Sequence, residues 1–397
     1  MRILIVHNQY QQSGGEDAVV ETEYALLKKF NEEVRLYKRS NTEITQYSFL
    51  QKINFVLNIS WSHSAYRTMK KILREFRPEV VHFHNIFFVL TPSVFWACQE
   101  ENIPVVQSQH NFRLRCANGL FFRNNHVCEN CLKGSLWQAV VHRCYKNSRM
   151  ITAMVTWMMD RNWRRGTWRN MVNCYITATE FTRQKLIQAG IPGEKIVVKP
   201  NFVGGNLEKP QRRPDYALYV GRLSLEKGVR VLLQTWKSLP DIPLKIMGQG
   251  PLLKELKKFV KDHNMQQVEF LGFVSEERFA QYMSGAKFVV VPSLCYENFP
   301  RIIAEAYAFG IPIVASRLGT MRDLVLDFQT GRLFEPGNTD DLVEKVRWLN
   351  SHQAELNQMS RKAYEEYEQK YSGKKNYDSL IGIYRNAIAN RRTKKGQ

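Results

Sequence analysis

Residues 296 to 306 read Y-E-N-F-P-R-I-I-A-E-A, a polar loop that runs into an amphipathic segment. Proline is favoured in the first turn of a helix, so Pro300 predicts a helix over about 300 to 309. Glu297 then lies in the loop just before the helix, and Glu305 lies inside its first two turns. Because an apolar run precedes the loop, the stretch predicts a strand, loop and helix of an α/β sheet.

Short apolar runs alternate with helical patterns along the whole chain. Runs without polar alternation are typical of parallel strands that are covered on both faces. We expect strands at residues 2–7, 78–84, 104–110, 173–179, 216–220, 243–247, 267–271, 287–291 and 311–315. This series predicts an α/β protein with two doubly wound, Rossmann-like domains that face each other across a cleft. Ligands of such folds bind at the carboxyl ends of the strands.

The length of 397 residues suits two domains. A polar, proline-bearing stretch, 204–215, predicts the linker. We therefore expect an N-terminal domain over 1–203, with a cysteine-bearing insertion near 111–147, and a second domain over 216–371. Residues 372–397 are predicted to form a helix that returns to the N-terminal domain, followed by a basic tail.

Composition indicates a folded chain with an anionic partner. The net charge is +20, and residues 101 to 200 carry 15 basic against 5 acidic side chains, an excess of 10. Nucleic acid, anionic lipid or a nucleotide diphosphate could each be the partner of this positive charge. Solubility alone is a further explanation of the charge. No segment reaches the roughly 18 apolar residues of a membrane span, and M-R-I-L-I-V-H lacks a signal-peptide layout. We therefore expect a cytoplasmic protein with reduced cysteines.

Residues 216 to 228 read Y-A-L-Y-V-G-R-L-S-L-E-K-G, a strand that ends at Gly221 and turns into a loop. Arg222 and Lys227 in this loop offer two cations to a diphosphate, while carboxylates elsewhere would accept hydrogen bonds from sugar hydroxyls. A solvated helix start would explain the cations equally well. Each glutamate of the 296–306 segment has its own alternative, which is charge complementarity at a helix N-terminus or a solvated face.

The second half carries, in order, G-R-L-S-L-E-K-G, G-Q-G-P, L-G-F-V, P-S-L-C-Y-E-N-F-P-R-I-I-A-E-A and G-I-P-I-V-A-S. This ordered set resembles the C-terminal nucleotide domain of family 4 retaining glycosyltransferases (glycosyl transferases group 1), which have the GT-B fold. The first half is similar to the same family in V-H-N with Gly14 and Gly15, V-V-H-F-H-N, S-Q-H-N and T-A-T-E-F-T-R-Q-K-L.

The resemblance implies four catalytic residues, which are Arg222, Lys227, Glu297 and His110. Arg222 and Lys227 would hold the diphosphate of a nucleotide diphosphate sugar donor, and they would replace the divalent ion of other enzymes. Glu297 and His110 would contact the donor sugar. Transfer with retention would use the leaving phosphate itself to help deprotonate the acceptor hydroxyl, so no cofactor is required for catalysis.

The resemblance also implies a set of substrate contacts. Glu305 would bind the ribose hydroxyls, Phe273 would lie beside the base through main-chain contacts, and the glycines would let backbone approach the ligand. The implied contacts are Gly14, Gly15, Gly248, Gly250, Phe273, Asn298, Phe299, Arg301 and Glu305. Pro300 departs from the family pattern, which often has glycine there, so one backbone donor to the sugar is absent.

Cysteine spacing predicts a structural zinc site in the insertion. Cys116, Cys128, Cys131 and Cys144 supply one C-x2-C pair and two flanking thiols, a set that suits tetrahedral zinc. Four reduced, partly buried thiols are the alternative. His82 and His84 share one face of a strand end, and we expect them to pack and hydrogen-bond rather than to bind a metal.

The acceptor is predicted from residues 146 to 169, which combine methionine and tryptophan with six cations. This composition suits a helix at a lipid interface, which would make the acceptor saccharide lipid-linked and place the protein peripherally at the inner face of the plasma membrane. Surface polysaccharide or lipopolysaccharide biosynthesis would follow. The alternative is a helix that covers the N-terminal sheet, with arginine stems packed over it.

Two other classes of protein remain open at this point. A nucleic-acid-binding protein would explain the charge, but no zinc-finger, RRM or helix-turn-helix pattern accompanies it. An enzyme of the same fold with another reaction, such as a phosphorylase or a sugar-nucleotide epimerase, would keep the motifs. The length and the missing pyridoxal-lysine context disfavour the phosphorylase.

Overall fold

The computed structural model describes residues 1–11, 14–204 and 215–393. Its strands are β1 Arg2–Gln9, β2 Glu33–Ser40, β3 Val80–Asn85, β4 Val105–Ser108, β5 Phe122–Arg123, β6 His126–Val127, β7 Cys174–Thr177, β8 Ile196–Val198, β9 Tyr216–Val220, β10 Leu244–Met247, β11 Val268–Gly272, β12 Ala286–Val291, β13 Ile313–Ser316 and β14 Gly331–Phe334. All nine predicted strands are present.

The helices connect these strands and cover the sheets. They are α1 Gly15–Lys29, α2 Phe49–Leu57, α3 His63–Phe76, α4 Ser93–Glu100, α5 Asn130–Lys133, α6 Gln138–Val141, α7 Arg149–Arg164, α8 Thr167–Asn170, α9 Glu180–Gln188, α10 Val229–Trp236, α11 Leu253–Asp262, α12 Glu276–Gly285, α13 Arg301–Ala308, α14 Met321–Leu324, α15 Thr339–Ser351, α16 Gln353–Glu366 and α17 Gly373–Thr393. Short 3₁₀ turns include Leu225–Lys227.

The described chain divides into two compact units. The first comprises Met1–Leu120, Glu129–Asn201 and the C-terminal segment that begins at Gly373, and the second comprises Phe121–Cys128 and Phe202–Ser372. The hairpin of β5 and β6 therefore belongs to the second unit, although the predicted insertion was assigned as a whole to the N-terminal domain. Residues 205–214 of the predicted linker and the tail after residue 393 lie outside the described residues.

Each unit contains a six-stranded sheet in which all neighbouring strands are parallel. The strand order is β2-β1-β3-β4-β7-β8 in the first unit and β11-β10-β9-β12-β13-β14 in the second. In both sheets the chain first proceeds toward one edge and then restarts toward the other. This reversal produces a switch point, between β1 and β3 in one unit and between β9 and β12 in the other, where flanking loops diverge and leave room for a ligand.

The two faces of the first sheet bury alternate residues of the same strands. Leu4 and Val6 of β1 face one cluster, which includes α7, while Ile3 and Ile5 face the other. The second cluster also takes in α1 and α17, so the first unit has helices on both faces of its sheet. The second unit is layered in the same way, with β9 contributing Leu218 to one cluster and Tyr219 to the opposite one.

Candidate functional site

The switch point of the second sheet carries most of the predicted catalytic residues. Arg222 follows β9, Lys227 ends the 3₁₀ turn of that same loop, and Glu297 lies in the loop that follows β12. Because β9 and β12 are neighbouring parallel strands, their carboxyl ends lie at the same edge of the sheet. The structure thus brings together side chains that are 70 positions apart in sequence.

Backbone packing holds the two loops against each other. Gly228 has φ +68, and a Cβ added there would lie 1.8 Å from the carbonyl oxygen of Pro292, so only glycine fits. The N–H of Leu294 donates to the carbonyl of Glu226 at 2.8 Å. These contacts fix the separation between the loop after β9 and the loop after β12.

Lys227 and Glu297 form an ion pair at this junction. Lys227 Nζ donates to Glu297 Oε1 at 2.6 Å, and the Ser293 hydroxyl donates to the same oxygen at 2.6 Å. Burial alone would lower the pKa of Lys227, but the Glu297 carboxylate raises it above its usual value, so the ammonium stays charged. The pair is partly exposed, with 29% of the Lys227 side chain open to solvent.

Arg222 is the exposed cation of the same loop. Its guanidinium forms no ion pair within the described residues, and its carbonyl accepts a hydrogen bond from the Tyr219 hydroxyl at 2.8 Å. The loop backbone is supported from the next loop, because Leu223 N–H donates to the carbonyl of Gln249 at 2.9 Å. The side chain is therefore available to an anion, while its backbone is fixed.

Gly248 and Gly250 have a structural role that the sequence did not reveal. A Cβ on Gly248 would lie 1.9 Å from the carbonyl oxygen of Gly221, and one on Gly250 would lie 2.4 Å from that of Leu223. Both glycines therefore permit the loop after β10 to pack on the Arg222 loop. Their predicted contact with a ligand stays a prediction.

Helix α13 starts beside this ion pair. Pro300 occupies its N-cap position without a side-chain cap, and the Thr320 hydroxyl donates to the carbonyl of Glu297 at 2.7 Å and to that of Asn298 at 3.4 Å. Arg301 and Glu305 form an i,i+4 ion pair at 3.0 Å. Burial raises the pKa of Glu305, and Arg301 only partly offsets that effect.

Phe273 and Phe299, two further residues predicted to contact the substrate, differ in their exposure. Phe273 follows the left-handed Gly272 at the end of β11 and has 86% of its surface exposed, which leaves an aromatic ring open at the edge where the strands end. Phe299 is partly buried and lies 6.0 Å from the ring of Tyr371, so its side chain packs while its backbone precedes the helix.

In the first unit, the loop after β1 leads into α1. Gly14 is the N-cap and Gly15 the first helical residue, and both are exposed. Asp17 fixes this turn, because its carboxylate accepts from Gly14 N–H at 2.7 Å and lies 2.7 Å from His7 Nε2. A Cβ on Gly14 would meet no atom within 4 Å. Internal packing therefore does not require this glycine.

His110 lies beyond β4 and contacts a second histidine. His110 Nε2 lies 2.9 Å from His84 Nδ1, and His84 Nε2 lies 3.4 Å from Glu23 Oε2. Burial lowers the pKa of His110 to about 4 and that of His84 well below its usual value, so both imidazoles are neutral. A neutral imidazole at a strand end can accept from, or donate to, a sugar hydroxyl.

The buried Glu23 carboxylate organises this region. Lys199 Nζ donates to Glu23 Oε1 at 2.7 Å, while His82 contacts the Ser108 hydroxyl at 2.8 Å and the Tyr384 hydroxyl at 2.7 Å. The ligand atoms of Glu23, His82 and His84 lie within 4.8 Å of one another. The Lys199 ammonium already neutralises the carboxylate and both nitrogens of His82 are hydrogen-bonded, which disfavours a cation there.

Sequence reasoning missed a polar cluster at the switch point of the first sheet. Glu16, in the first turn of α1, has its pKa raised to about 8 by burial and by the neighbouring Asp17. Arg113 is buried nearby, stacked 5.8 Å from the ring of Tyr10 and 5.2 Å from that of Tyr145. The sequence feature that could have indicated this cluster was Glu16, directly after Gly14 and Gly15. A glutamate at this position is explained equally well by charge complementarity at the N-terminus of a helix.

The predicted zinc cysteines are not equivalent. Cys116 Sγ donates to Asn118 Oδ1 at 2.9 Å and is buried, as is Cys131, whereas Cys128 and Cys144 are half-buried. Cys128 belongs to the second unit and the other three belong to the first. The zinc site stays a prediction.

Helix α7 occupies most of the segment predicted at a lipid interface. It buries Val155, Met158 and Met159 in the core of the first unit. Arg161 and Arg165 lie over the rings of Trp157 and Trp61. These contacts correspond to the alternative of a core-covering helix with arginines packed on its surface. Among the described residues, no helix has the length and apolar content needed to cross a bilayer.

Two family profiles match the chain. Residues 207–366 match "Glycosyl transferases group 1", and residues 46–204 match "Glycosyltransferase Family 4". An uncharacterized glycosyltransferase of Methanocaldococcus jannaschii is 33% identical over 185 residues, which are 46% of this chain. The matched segment spans 52%, about half, of that relative's length.

Solved structures share the architecture over nearly the whole chain. HepE of Anabaena, in complex with UDP, has a TM-score of 0.68 at 16% identity and covers 97% of this chain and 100% of its own. The lipopolysaccharide outer core galactosyltransferase WaaB has a TM-score of 0.60 at 18% identity and covers 96% and 99%. With two parallel Rossmann-like sheets and both profile matches, the chain belongs to the group 1 glycosyltransferases of family 4 and has their GT-B fold.

Proposed function

We propose that this protein transfers a glycosyl group from a nucleoside diphosphate sugar to a saccharide acceptor. The observation that carries the proposal is the loop junction at the β9/β12 switch point. There, exposed Arg222 and the Lys227–Glu297 pair supply two cations for phosphate and one carboxylate for hydroxyl groups. The UDP bound to HepE supports a nucleotide in a protein of this fold.

In the proposed reaction, the bond between the anomeric carbon and the diphosphate oxygen breaks, and a bond to the acceptor oxygen forms on the same face. Because the new bond forms on the face that the diphosphate leaves, the anomeric configuration is retained. The acceptor proton passes to the leaving phosphate oxygen. Arg222 and Lys227 stabilise the charge that develops on the diphosphate, which removes the need for a catalytic metal. Glu297 and His110 orient the sugar through its hydroxyls.

The acceptor belongs to a surface glycan, and we propose that it is carried on lipid at the membrane. The name of WaaB, a lipopolysaccharide outer core galactosyltransferase, supports this class. The charge of +20 supports an anionic surface as a partner. The core packing of α7 means that the segment 146–169 supports membrane contact only through its exposed cations.

A donor hydrolysis assay tests the reaction. The protein is incubated with UDP-, GDP- and ADP-sugars, with and without EDTA, and release of the nucleoside diphosphate is measured. We expect one base to be preferred, EDTA to have no effect, and the anomeric configuration of the glycoside formed with a saccharide acceptor, read by NMR, to match the donor. No release from any donor, with or without acceptor, would contradict the proposal. An EDTA-sensitive rate would contradict metal independence alone.

A further inference from the structure

Helix α2 exposes nearly all of its apolar side chains. Its sequence is F-L-Q-K-I-N-F-V-L, and none of its residues is buried. The exposed fractions are Phe49 76%, Leu50 75%, Ile53 43%, Val56 37% and Leu57 69%. Soluble proteins seldom expose so many neighbouring apolar side chains unless the surface binds something.

Helix α2 has a capping box at its N-terminus and no fully buried residue. The Ser48 hydroxyl accepts from Gln51 N–H at 3.4 Å, and the Gln51 side chain accepts from Ser48 N–H at 2.8 Å, which is a capping box. Phe55 alone turns inward, 6.0 Å from the ring of Tyr47, and packs on the core of the first unit. The helix therefore lies with one residue anchored and its apolar face outward.

A cavity of about 550 Å³ begins where α2 ends. It is lined by Leu57, Asn58, Ser60, Trp61, His63, Trp96, Arg161 and Arg165. The lining includes two arginines and two tryptophans but no carboxylate. Tryptophan and arginine are the side chains that favour the boundary between lipid headgroups and water.

Arg161 and Arg165 bring two positive charges to this cavity without a counter-ion. Neither guanidinium lies within 4.0 Å of a carboxylate in the ranges described for this chain, because Asp160 pairs with Arg164 instead. Arg165 is stacked over Trp61, with 5.6 Å between the guanidinium carbon and the ring centre. Partial burial and the nearby Arg161 lower the pKa of Arg165, as expected for cations that lack an anion.

The surrounding sequence is also free of negative charge. Residues 44 to 74 contain five basic side chains and no aspartate or glutamate. Three of the five, Lys70, Lys71 and Arg74, pair with glutamates outside this stretch, so Lys52 and Arg67 are the basic side chains of the stretch that form no ion pair within the described residues. An apolar helix beside a basic, tryptophan-lined cavity is complementary to one kind of surface, in which acyl chains lie next to phosphate headgroups.

We propose that α2 and the adjoining Arg161–Arg165 cavity form the surface by which this protein docks on an anionic phospholipid bilayer. Leu50 and Leu57 enter the acyl boundary, and the two arginines bind headgroup phosphates. The inference rests on the proposed function only in the identity of the acceptor, because docking itself follows from the exposed helix and the cavity. It assigns the apolar contact with the membrane to α2, whereas the core-packed α7 contributes only Arg161 and, at its C-cap, Arg165.

Vesicle flotation tests this surface with the full chain. The probes are vesicles of phosphatidylglycerol and of phosphatidylcholine, and inorganic phosphate serves as the soluble anion. We expect wild type to float with phosphatidylglycerol at low salt and to be partly released at high salt. The double variant Leu50→Gln with Leu57→Gln should bind at least about tenfold more weakly, because the two leucines proposed to enter the acyl boundary are lost.

Matched controls separate α2 from general effects. Val141→Gln with Met150→Gln removes two equally exposed apolar side chains, one of them on α7, and should leave binding unchanged. Arg161→Gln with Arg165→Gln should weaken binding to phosphatidylglycerol more than Lys254→Gln with Lys257→Gln, which lowers the net charge equally. All variants should keep the wild-type circular dichroism spectrum.

The outcomes are decisive in both directions. The proposal is overturned if wild type ignores both vesicles at low salt, if the α2 variant floats as well as wild type, or if the Val141/Met150 control loses as much binding. Binding of inorganic phosphate without vesicle binding also overturns it. Donor hydrolysis is measured separately in vesicle-free solution. Docking without hydrolysis would contradict the proposed function alone.

Discussion

Lys227 Nζ lies 2.6 Å from Glu297 Oε1. The side chain predicted to bind the donor diphosphate and the side chain predicted to contact the donor sugar therefore form an ion pair with each other. A diphosphate that binds Lys227 must compete with this carboxylate or share the ammonium with it. Because the Ser293 hydroxyl also donates to Glu297, the carboxylate keeps one partner when the lysine turns to phosphate. In this arrangement, Lys227 can move from the Glu297 carboxylate to a bound phosphate without leaving that carboxylate unpaired.

Replacement of either cation should strongly reduce transfer. We expect Arg222→Ala and Lys227→Ala each to lower turnover by about 100-fold or more, because each removes one preorganised charge that stabilises the leaving group. Initial rates with the preferred nucleotide sugar measure this. Arg230→Ala, which removes an exposed arginine paired with Glu255, is the control and should retain activity. Near-normal turnover in either folded variant of the pair would rule out the assignment.

The two glutamates should affect different parts of the donor. Glu305→Gln keeps the size of the side chain but loses the charge, so it should weaken binding of the free nucleotide and of the nucleotide sugar alike. Glu297→Gln should spare the free nucleotide and weaken the nucleotide sugar. Calorimetry with both ligands checks this division. Equal losses for both ligands in both variants would show that the roles are not separate.

Two glycines should behave oppositely when they are changed to alanine. Gly248→Ala places a Cβ 1.9 Å from a backbone carbonyl at φ +142, so it should destabilise the protein by about 3 kcal/mol or more. Gly14→Ala meets no neighbour and should change stability by less than about 0.5 kcal/mol. Urea denaturation measures both. If Gly14→Ala is stable but slow in transfer, the glycine acts through a ligand.

Acidification should destabilise the first unit through three histidines whose pKa values are lowered, His82, His84 and His110. Because the folded pKa of His110 is about 4, below its usual value of about 6.5, the unfolded chain binds more protons between these values. Stability is therefore fully present above pH 6.5 and falls as the pH drops, by about 2 kcal/mol from His110 at pH 5. His82 and His84 act in the same direction.

Tryptophan fluorescence during urea unfolding measures this pH dependence. Six of the eight tryptophans lie in the first unit, so the signal reports mainly on that unit. We expect the midpoint to fall from pH 7.5 to pH 5 in wild type and to fall less in His110→Gln. An identical slope in the two proteins would show that His110 titrates normally.

Glu16 should show the reverse dependence. Its folded pKa of about 8 lies above the usual carboxyl value, so its protonated form is favoured by folding and stability is lost as the pH rises from about 4.5 toward 8. Glu16→Gln should therefore raise the urea midpoint at pH 8 and leave it nearly unchanged at pH 4.5. If transfer falls in the same variant, the carboxyl is retained at a cost in stability because it serves the reaction.

Eight of the nine strands that the sequence predicted are mostly buried. β1, β3, β9, β10, β12 and β13 read as apolar runs because helices cover both faces of their sheets, whereas β11 is a partly exposed edge strand that was also predicted. The strands β2, β5, β6, β8 and β14 were missed: β2 is an edge strand with the polar sequence E-V-R-L-Y-K-R-S, and the other four have only two to four residues each. Edge strands need only one buried neighbour, so their composition carries little signal.

The sequence identified the residues of the candidate site, but it did not predict which of them bind each other. Motif order located Arg222, Lys227 and Glu297, but the direct bond between lysine and glutamate depends on loop packing at Gly228 that no local pattern encodes. The same applies to Glu23 and Lys199, which are 176 positions apart. Burial of Glu16 was also invisible, because an acidic residue in the first turn of a helix is usually solvated.

Helix α17 lies at the far end of the chain, yet its Tyr384 contacts His82 and its Leu380 and Ile383 fill the face of the first sheet beside Ile3 and Ile5. During synthesis, the last strand of that sheet is complete at Val198, long before this helix begins at Gly373. The nascent first unit therefore keeps the part of this apolar face that α17 covers exposed until residues 373–393 have been synthesised. Production of the protein depends on that face being shielded in the interval, and a fragment that ends at residue 203 should aggregate.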